Sequence, residues 1–431
     1  MKPQKNRPLR FLLLMMLSLL LQQGLLFADA TVVGNLLGKE LFAAIELQTA
    51  LLRVPVSFAA GFAAGITIVV SHRLSNRRAA GSTAAVGLLL ALSAGTFITA
   101  AVQLSGSRLL DWMAVPAAIR PASFSYLRIY ISGTVFTLLF NACIGIFHAY
   151  QDAKTPLLLM AASFALNLLL DLLLVPIFPD GLAGAAFATL FSQALVALAA
   201  LVLLIKKKML KAPDAASRKE LLAIVKAGLP IGAQAFVFAA TNAFLQQRLN
   251  ALGMEAIAAW SLCNKLDMPV WVVIDAMSIS ITTFCAAAYG GNEALSVKQL
   301  VTRIGGFCMP VLAVLVALLF AIPALLGRLI LPNAAVCADA ASLMRLLAPF
   351  YLVYACGELA AALFRSRGNT LLPFAVIVLQ CATRIGLLLS FPNRQTLRFF
   401  AVVYMVSVCV FSVLLLVPTA LRHRRQALCQ S

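Results

Sequence analysis

Charge is scarce in this chain. Asp, Glu, Lys and Arg make up 11% of its 431 residues, against about 25% in soluble domains. Acids are scarcer than bases, 15 against 34, and there are three histidines. With 62% of the residues hydrophobic, no soluble fold could hide the apolar surface, which excludes an ordinary globular domain. A G-x-x-x-x-G-K-[ST] loop is missing, so the chain offers no nucleotide-driven motor of its own. No CxxC pair occurs, and no histidine stands at metal-ligand spacing from the nine cysteines. The cysteines therefore read as small buried hydrophobes, and no metal or other cofactor is expected. His72 and His148 fall at helix ends and His423 in the tail, and no nucleophile meets an acid and a base, which argues against an enzyme. The net charge of +19 is not gathered into a basic face interleaved with aromatics, so nucleic acid is not an expected partner.

Long apolar runs fill the space that charge leaves. A helix needs about 20 mostly apolar residues to cross a hydrocarbon core of about 30 Å. Hydropathy and helix breakers place spans near 9–33, 46–71, 82–108, 122–148, 156–177, 181–205, 222–247, 256–288, 300–327, 338–364, 370–391 and 398–421. The expected fold is an all-α polytopic membrane protein of twelve transmembrane helices. The basic start and Ala28-Asp29-Ala30 mimic a signal peptide and its cleavage site. However, the run is long and carries Gln22 and Gln23, so it is read as an uncleaved first span. Loops alternate in charge. Lys2 to Arg10, Arg73 to Arg78, Lys154, Lys206 to Lys226, Lys298 and Arg303, Arg365 and Arg367, and Arg422 to Arg425 lie on one side, while few bases lie on the other. The positive-inside rule then puts both termini in the cytoplasm and the chain in the cytoplasmic membrane.

The longest polar stretch, residues 206–221, falls midway and divides an N-terminal lobe, 1–210, from a C-terminal lobe, 211–431. Blocks recur across it. GKELFAAI from Gly38 matches GMEAIAAW from Gly253 at an offset of 215, RVPV from Arg53 matches DMPV from Asp267 at 214, and Phe147 and Pro156 match Phe364 and Pro373 at 217. Two homologous six-helix lobes follow. With an even number of spans they share one topology, which places a cavity between them near the midplane, as a transporter requires.

Ionisable groups inside a membrane are costly and mark functional sites by default. Asp29, Asp171, Asp275, Glu358 and Arg384 fall within spans. Asp171 lies eight residues before Pro179, Thr189 eight after Gly181, and Asp29 nine before Gly38. At 1.5 Å per residue, each is roughly 12–14 Å in from its outer turn. Asn167 is one helical turn from Asp171. These four could converge as oxygen ligands for Na⁺, and the carboxylates alone would suit H⁺. The plainer alternative is that both acids merely hydrogen-bond neighbouring helices or reach the outer interface. At the repeat offsets their counterparts are Phe244 and Leu388, so the acids are not needed to build the six-helix fold. Asp275 and Glu358 are weaker candidates for lining the cavity. Arg384 is expected to neutralise one of them, and Lys265 is a second candidate partner for Asp275. GFAAG, Gly61 to Gly65, is expected to pack helices closely.

The stretch from Phe27 to Leu74 resembles the opening of the multidrug and toxic compound extrusion (MATE) family. GIFHAYQDAKTP, NLLLDLLLV, GLAGAAFATLFSQ and AGLPIGAQ resemble its later blocks in order. The resemblance implies a two-lobed, twelve-helix antiporter that exports organic, often cationic, compounds in exchange for Na⁺ or H⁺. In the DinF-like branch the family's coupling residues match Asp29, Asn167, Asp171 and Thr189. Another branch carries a Glu where this chain has Phe238, so the resemblance does not extend to a cation site in the second lobe. The remaining expectations are a small organic substrate, a lipid bilayer as surroundings and a monomer. A flippase for a lipid-linked oligosaccharide or peptidoglycan precursor, from the same superfamily, is the alternative.

Overall fold

The computed structural model describes residues 6–24, 61–112, 120–178, 182–213, 217–291, 293, 295–330, 333–391 and 396–428. Among these residues the only regular secondary structure is helix: α1 (7–24), α2 (Gly61–His72), α3 (Arg77–Trp112), α4 (Arg120–Ser132), α5 (Thr134–Ala149), α6 (Lys154–Leu174), α7 (Leu182–Lys206), α8 (Ser217–Asn250), α9 (Met254–Leu266), α10 (Met268–Tyr289), α11 (Val297–Ala321), α12 (Pro323–Ile330), α13 (Ala334–Ser366), α14 (Leu371–Ser390) and α15 (Leu397–Leu428). Ten helical segments among them are long and apolar enough to cross a membrane. The first two expected spans, 9–33 and 46–71, fall partly outside the described residues, and their described parts are helical.

Three expected spans are interrupted, two of them beside a proline. Span 4 is broken at Gly133, between α4 and α5. Span 8, expected to run unbroken over 256–288, is split at Asp267 between α9 and α10. Pro269 lacks the N–H that would have continued the ladder, but it suits the first turn of a new helix. Span 9 ends at Ala321, and Pro323 opens the short helix α12.

The chain divides into two compact units. One comprises Leu13–Ala233 with Gly290–Asn292, and the other Met1–Leu12, Gln234–Tyr289 and Glu293–Ser431. In the N-terminal unit α3 packs on α5, and α7 packs on α4, α5 and α6. Its core gathers Ile66, Val70, Phe140, Phe147 and Leu204. The GFAAG motif works as expected. A Cβ at Gly65 would stand 2.7 Å from the Gly228 nitrogen, and one at Gly61 would overlap the backbone of Gly232. Gly228 and Gly232 are themselves four apart, so α2 and α8 meet through a pair of small-residue stripes. In the C-terminal unit α13 is the hub, packed by α9, α10, α11, α12 and α15, around fully buried Phe284, Phe364, Phe400 and Phe411.

The sequence repeat reappears as repeated cap geometry. After α5, the Asp152 N–H donates to the Phe147 carbonyl at 2.9 Å, and after α13 the Asn369 N–H donates to the Phe364 carbonyl at 3.1 Å. Both connections pass through a left-handed residue, Gln151 at φ 61° and Gly368 at φ 80°. Asp152 then accepts from the Thr155 N–H at 3.0 Å, and Asn369 from the Leu372 N–H at 3.3 Å. All these pairs share the offset of 217. Asp152 adds an ion pair with Lys207 at the end of α7. Burial alone would raise this loop carboxyl, but the hydrogen bonds from Lys207 and Thr155 outweigh it and hold the pKa below the usual aspartate value.

Candidate ion-coupling and charge sites

Helix α6 is apolar outside and polar inside, the reverse of a helix in water. Leu158, Leu169, Leu172 and Leu173 are exposed, as suits a lipid-facing surface. Ser163, Asn167 and Asp171, spaced by four, lie on its buried side, and Asp171 is 1% exposed. The adjoining helix α7 approaches at Gly184, where a Cβ would stand 2.9 Å from the Val175 Cα and crowd the Leu174 carbonyl. Only glycine allows that contact, and it sets the register of the antiparallel pair. Counting from it at 1.5 Å per residue, Asp171 lies about 4.5 Å, Thr189 about 7.5 Å and Asn167 about 10.5 Å along the pair. Thr189 thus stands at a level between the acid and the amide. Its hydroxyl donates to the Ala185 carbonyl at 3.1 Å, which leaves the oxygen lone pairs for another group. Phe178 and Phe187, with ring centroids 5.3 Å apart, pack at the outer end of the same pair. Asp29, the fourth expected member, lies outside the described residues.

The C-terminal unit holds two further charge clusters, and one expectation is corrected there. Glu358, 7% exposed on α13, is ion-paired with Arg365, two turns along the same helix. Ser278 of α10 bridges the two: its hydroxyl donates to Glu358 Oε1 at 2.9 Å and accepts from Arg365 Nη2 at 2.8 Å. Asp275, one turn before Ser278, is exposed and lies in the field of Glu358 and Arg365. Arg384 therefore does not neutralise either acid. Its guanidinium is 0% exposed and donates to Asn242 Oδ1 at 3.1 Å and to the Ser407 hydroxyl at 3.2 and 3.3 Å. It lies 4.6 Å from the Tyr404 ring centre and 5.6 Å from that of Phe238. Helix α14 packs chiefly on α15 and only marginally on α13, whereas Arg365 shares α13 with Glu358.

Two further buried charged residues carry no clear signal in the hydropathy pattern. In the charge pattern Arg365 belongs with the loop bases, yet it is buried and reaches back into the helix bundle. In the sequence Asp267 stands out only as an anchor of the repeat. It is 7% exposed and accepts from the Tyr351 hydroxyl at 2.6 Å and from Trp271. An acid directly before Met-Pro inside an apolar run is the signal that marks it, because the proline breaks the helix there.

The MatE family model matches the chain twice, over residues 15–173 and again over 229–391. The model for the lipid II flippase MurJ matches residues 121–250. The chain is 25% identical over 382 residues to the probable multidrug resistance protein YoeA of Bacillus subtilis, covering 85% of this chain and 82% of YoeA. It is 26% identical over 283 residues to the probable multidrug resistance protein YpnP of the same organism, spanning 64% of each. A crystal structure of MATE in the bent conformation superposes with a TM-score of 0.89 at 22% identity, over 99% of this chain and 96% of that one.

Proposed function

Because the chain belongs to the MatE family of multi-pass membrane transporters, we propose that it exports organic compounds from the cytoplasm in exchange for H⁺ or Na⁺. The observation that carries this reading is the buried face of α6, where Asn167 and Asp171 lie one turn apart at levels on either side of Thr189. A buried carboxylate with neutral oxygen donors at its own depth suits either a proton or a hard monovalent cation. Asp29 is the fourth group of the proposed DinF-like site. Substrate bearing a positive charge fits the reading, as does a single-subunit transporter with both termini in the cytoplasm.

In this mechanism the ion enters from outside, binds at Asp171 and its neighbours, and favours the state that releases substrate outward. Reopening to the cytoplasm discharges the ion. Coupling requires the ion to bind the two states with different affinity. The flippase alternative is supported by the MurJ match alone, which spans residues 121–250, whereas the MatE match recurs in both halves.

The test is export of a fluorescent organic cation from proteoliposomes under an imposed H⁺ or Na⁺ gradient. Gradient-driven movement that drops at least about tenfold in Asp171→Asn is expected, equivalent to about 1.4 kcal/mol. Export surviving in both Asp171→Asn and Asp29→Asn would refute the coupling site. Failure of both gradients, together with movement of a lipid-linked precursor, would favour the flippase.

A further inference from the structure

Within the C-terminal unit a cavity of about 260 Å³ opens among α8, α9, α10, α13 and α15. Its volume is just below the range of roughly 300–1,000 Å³ common for ligand pockets, so an occupant would be of amino-acid size. Two of the chain's three tryptophans, Trp260 and Trp271, line it together with Tyr351 and Tyr404. One wall carries the Asp267 carboxylate, buried and held by Tyr351 and Trp271. A carboxylate accepting two hydrogen bonds retains lone pairs for a further donor.

The opposite charge stands one layer behind another part of the wall. Arg384 contacts the lining residues Asn242, Phe238 and Tyr404. Among the described residues it has no carboxylate partner, a costly state for a fully buried guanidinium. By occupying the Asn242 carbonyl oxygen, it leaves that residue's NH₂ as the group Asn242 offers the cavity, inside a positive field. Tyr404 lies in the fields of both Arg384 and Asp267. The cavity is therefore aromatic, closely balanced in charge and polarised from one side to the other.

We propose that this cavity binds a small aromatic zwitterion, with its ammonium at Asp267, its anionic group toward Asn242 and Arg384, and its ring among the tryptophans and tyrosines. A lone cation would be repelled by Arg384, and a lone anion by Asp267, so a ligand carrying both charges gains on each count. Aromatic walls favour both the ring and the ammonium. The site lies outside the proposed coupling residues of α6 and α7.

As a cargo site it rests on the export reading, but binding needs no gradient. The experiment is isothermal titration of the purified full chain with phenylalanine, phenethylamine and 3-phenylpropanoate, which share a ring and differ in charge. Phenylalanine is expected to bind about tenfold tighter than either single-charge analogue. Asp267→Asn is expected to erase its margin over 3-phenylpropanoate, and Arg384→Gln its margin over phenethylamine, with Arg384→Lys retaining most of it. Phenethylamine binding as tightly as phenylalanine would overturn the proposal, as would no binding of any of the three up to about 10 mM. The three-ligand comparison on the unmodified protein decides the matter even where a variant does not fold. Absent binding with intact export sinks this site alone, and binding without export sinks the export reading alone.

Discussion

A buried ion pair and a buried charge without a counter-charge impose different demands on a membrane protein, and among the described residues both occur. Glu358 and Arg365 pay for each other's desolvation only while both are present and Ser278 joins them. Removing one partner leaves the other buried without compensation, which typically costs 3–5 kcal/mol, roughly, whereas removing both is often near neutral. Glu358→Gln is therefore expected to lower the melting temperature of the purified protein sharply. The double variant Glu358→Gln/Arg365→Gln should recover much of the loss. If the double variant melts lower than either single one, the pair is not what holds α10 to α13 there.

At the scale of elements, close approach is decided by residues with no side chain. The α2–α8 contact depends on Gly61 and Gly65 facing Gly228 and Gly232. A Cβ at Gly65 meets backbone atoms, which cannot rotate away as a side-chain tip could. Gly65→Val should therefore force the helices apart at a cost of about 1–3 kcal/mol or more. It would be read as a lower melting temperature and reduced monodisperse yield by fluorescence-detected size exclusion. Gly306, which meets nothing within 4 Å, is the control: Gly306→Ala on α11 should be neutral or slightly stabilising. The Gly184 contact between α6 and α7 belongs to the same class, and it places Thr189 beside the levels of Asp171 and Asn167.

For the whole molecule, the uneven placement of basic residues is the orienting force. Lys298, in the first turn of α11, and Arg328, in α12, are both exposed, and the positive-inside rule assigns them to opposite faces. Cysteine introduced at position 298 should be labelled by a membrane-impermeant maleimide only after cells are opened. Cysteine at position 328 should be labelled in intact cells. The reverse pattern would invert the topology and, with it, the direction of the proposed export. Native cysteines other than Cys356 and Cys409 are buried among the described residues, which keeps the background low.

Much of this was legible from residue order alone. Hydropathy sets where spans lie, because each backbone polar group in lipid has to be satisfied within its own helix. The repeat was visible at Phe147 and Phe364 because a cap needs the same few residues in both halves. The depth of Asp171 and Thr189 follows from counting, since helix rise is constant. Which side chains meet across helices could not be counted in this way. Arg384 and Glu358 looked like partners in a list of intramembrane charges, yet Arg384 went to Asn242, Ser407 and Tyr404, and Glu358 to Arg365. The choice depends on helix rotation and neighbour order, which arise from packing over the whole unit. Asp267 shows the same division: its proline neighbour announces a break, but only the fold surrounds that break with Trp260, Trp271 and Tyr351 and makes it a cavity.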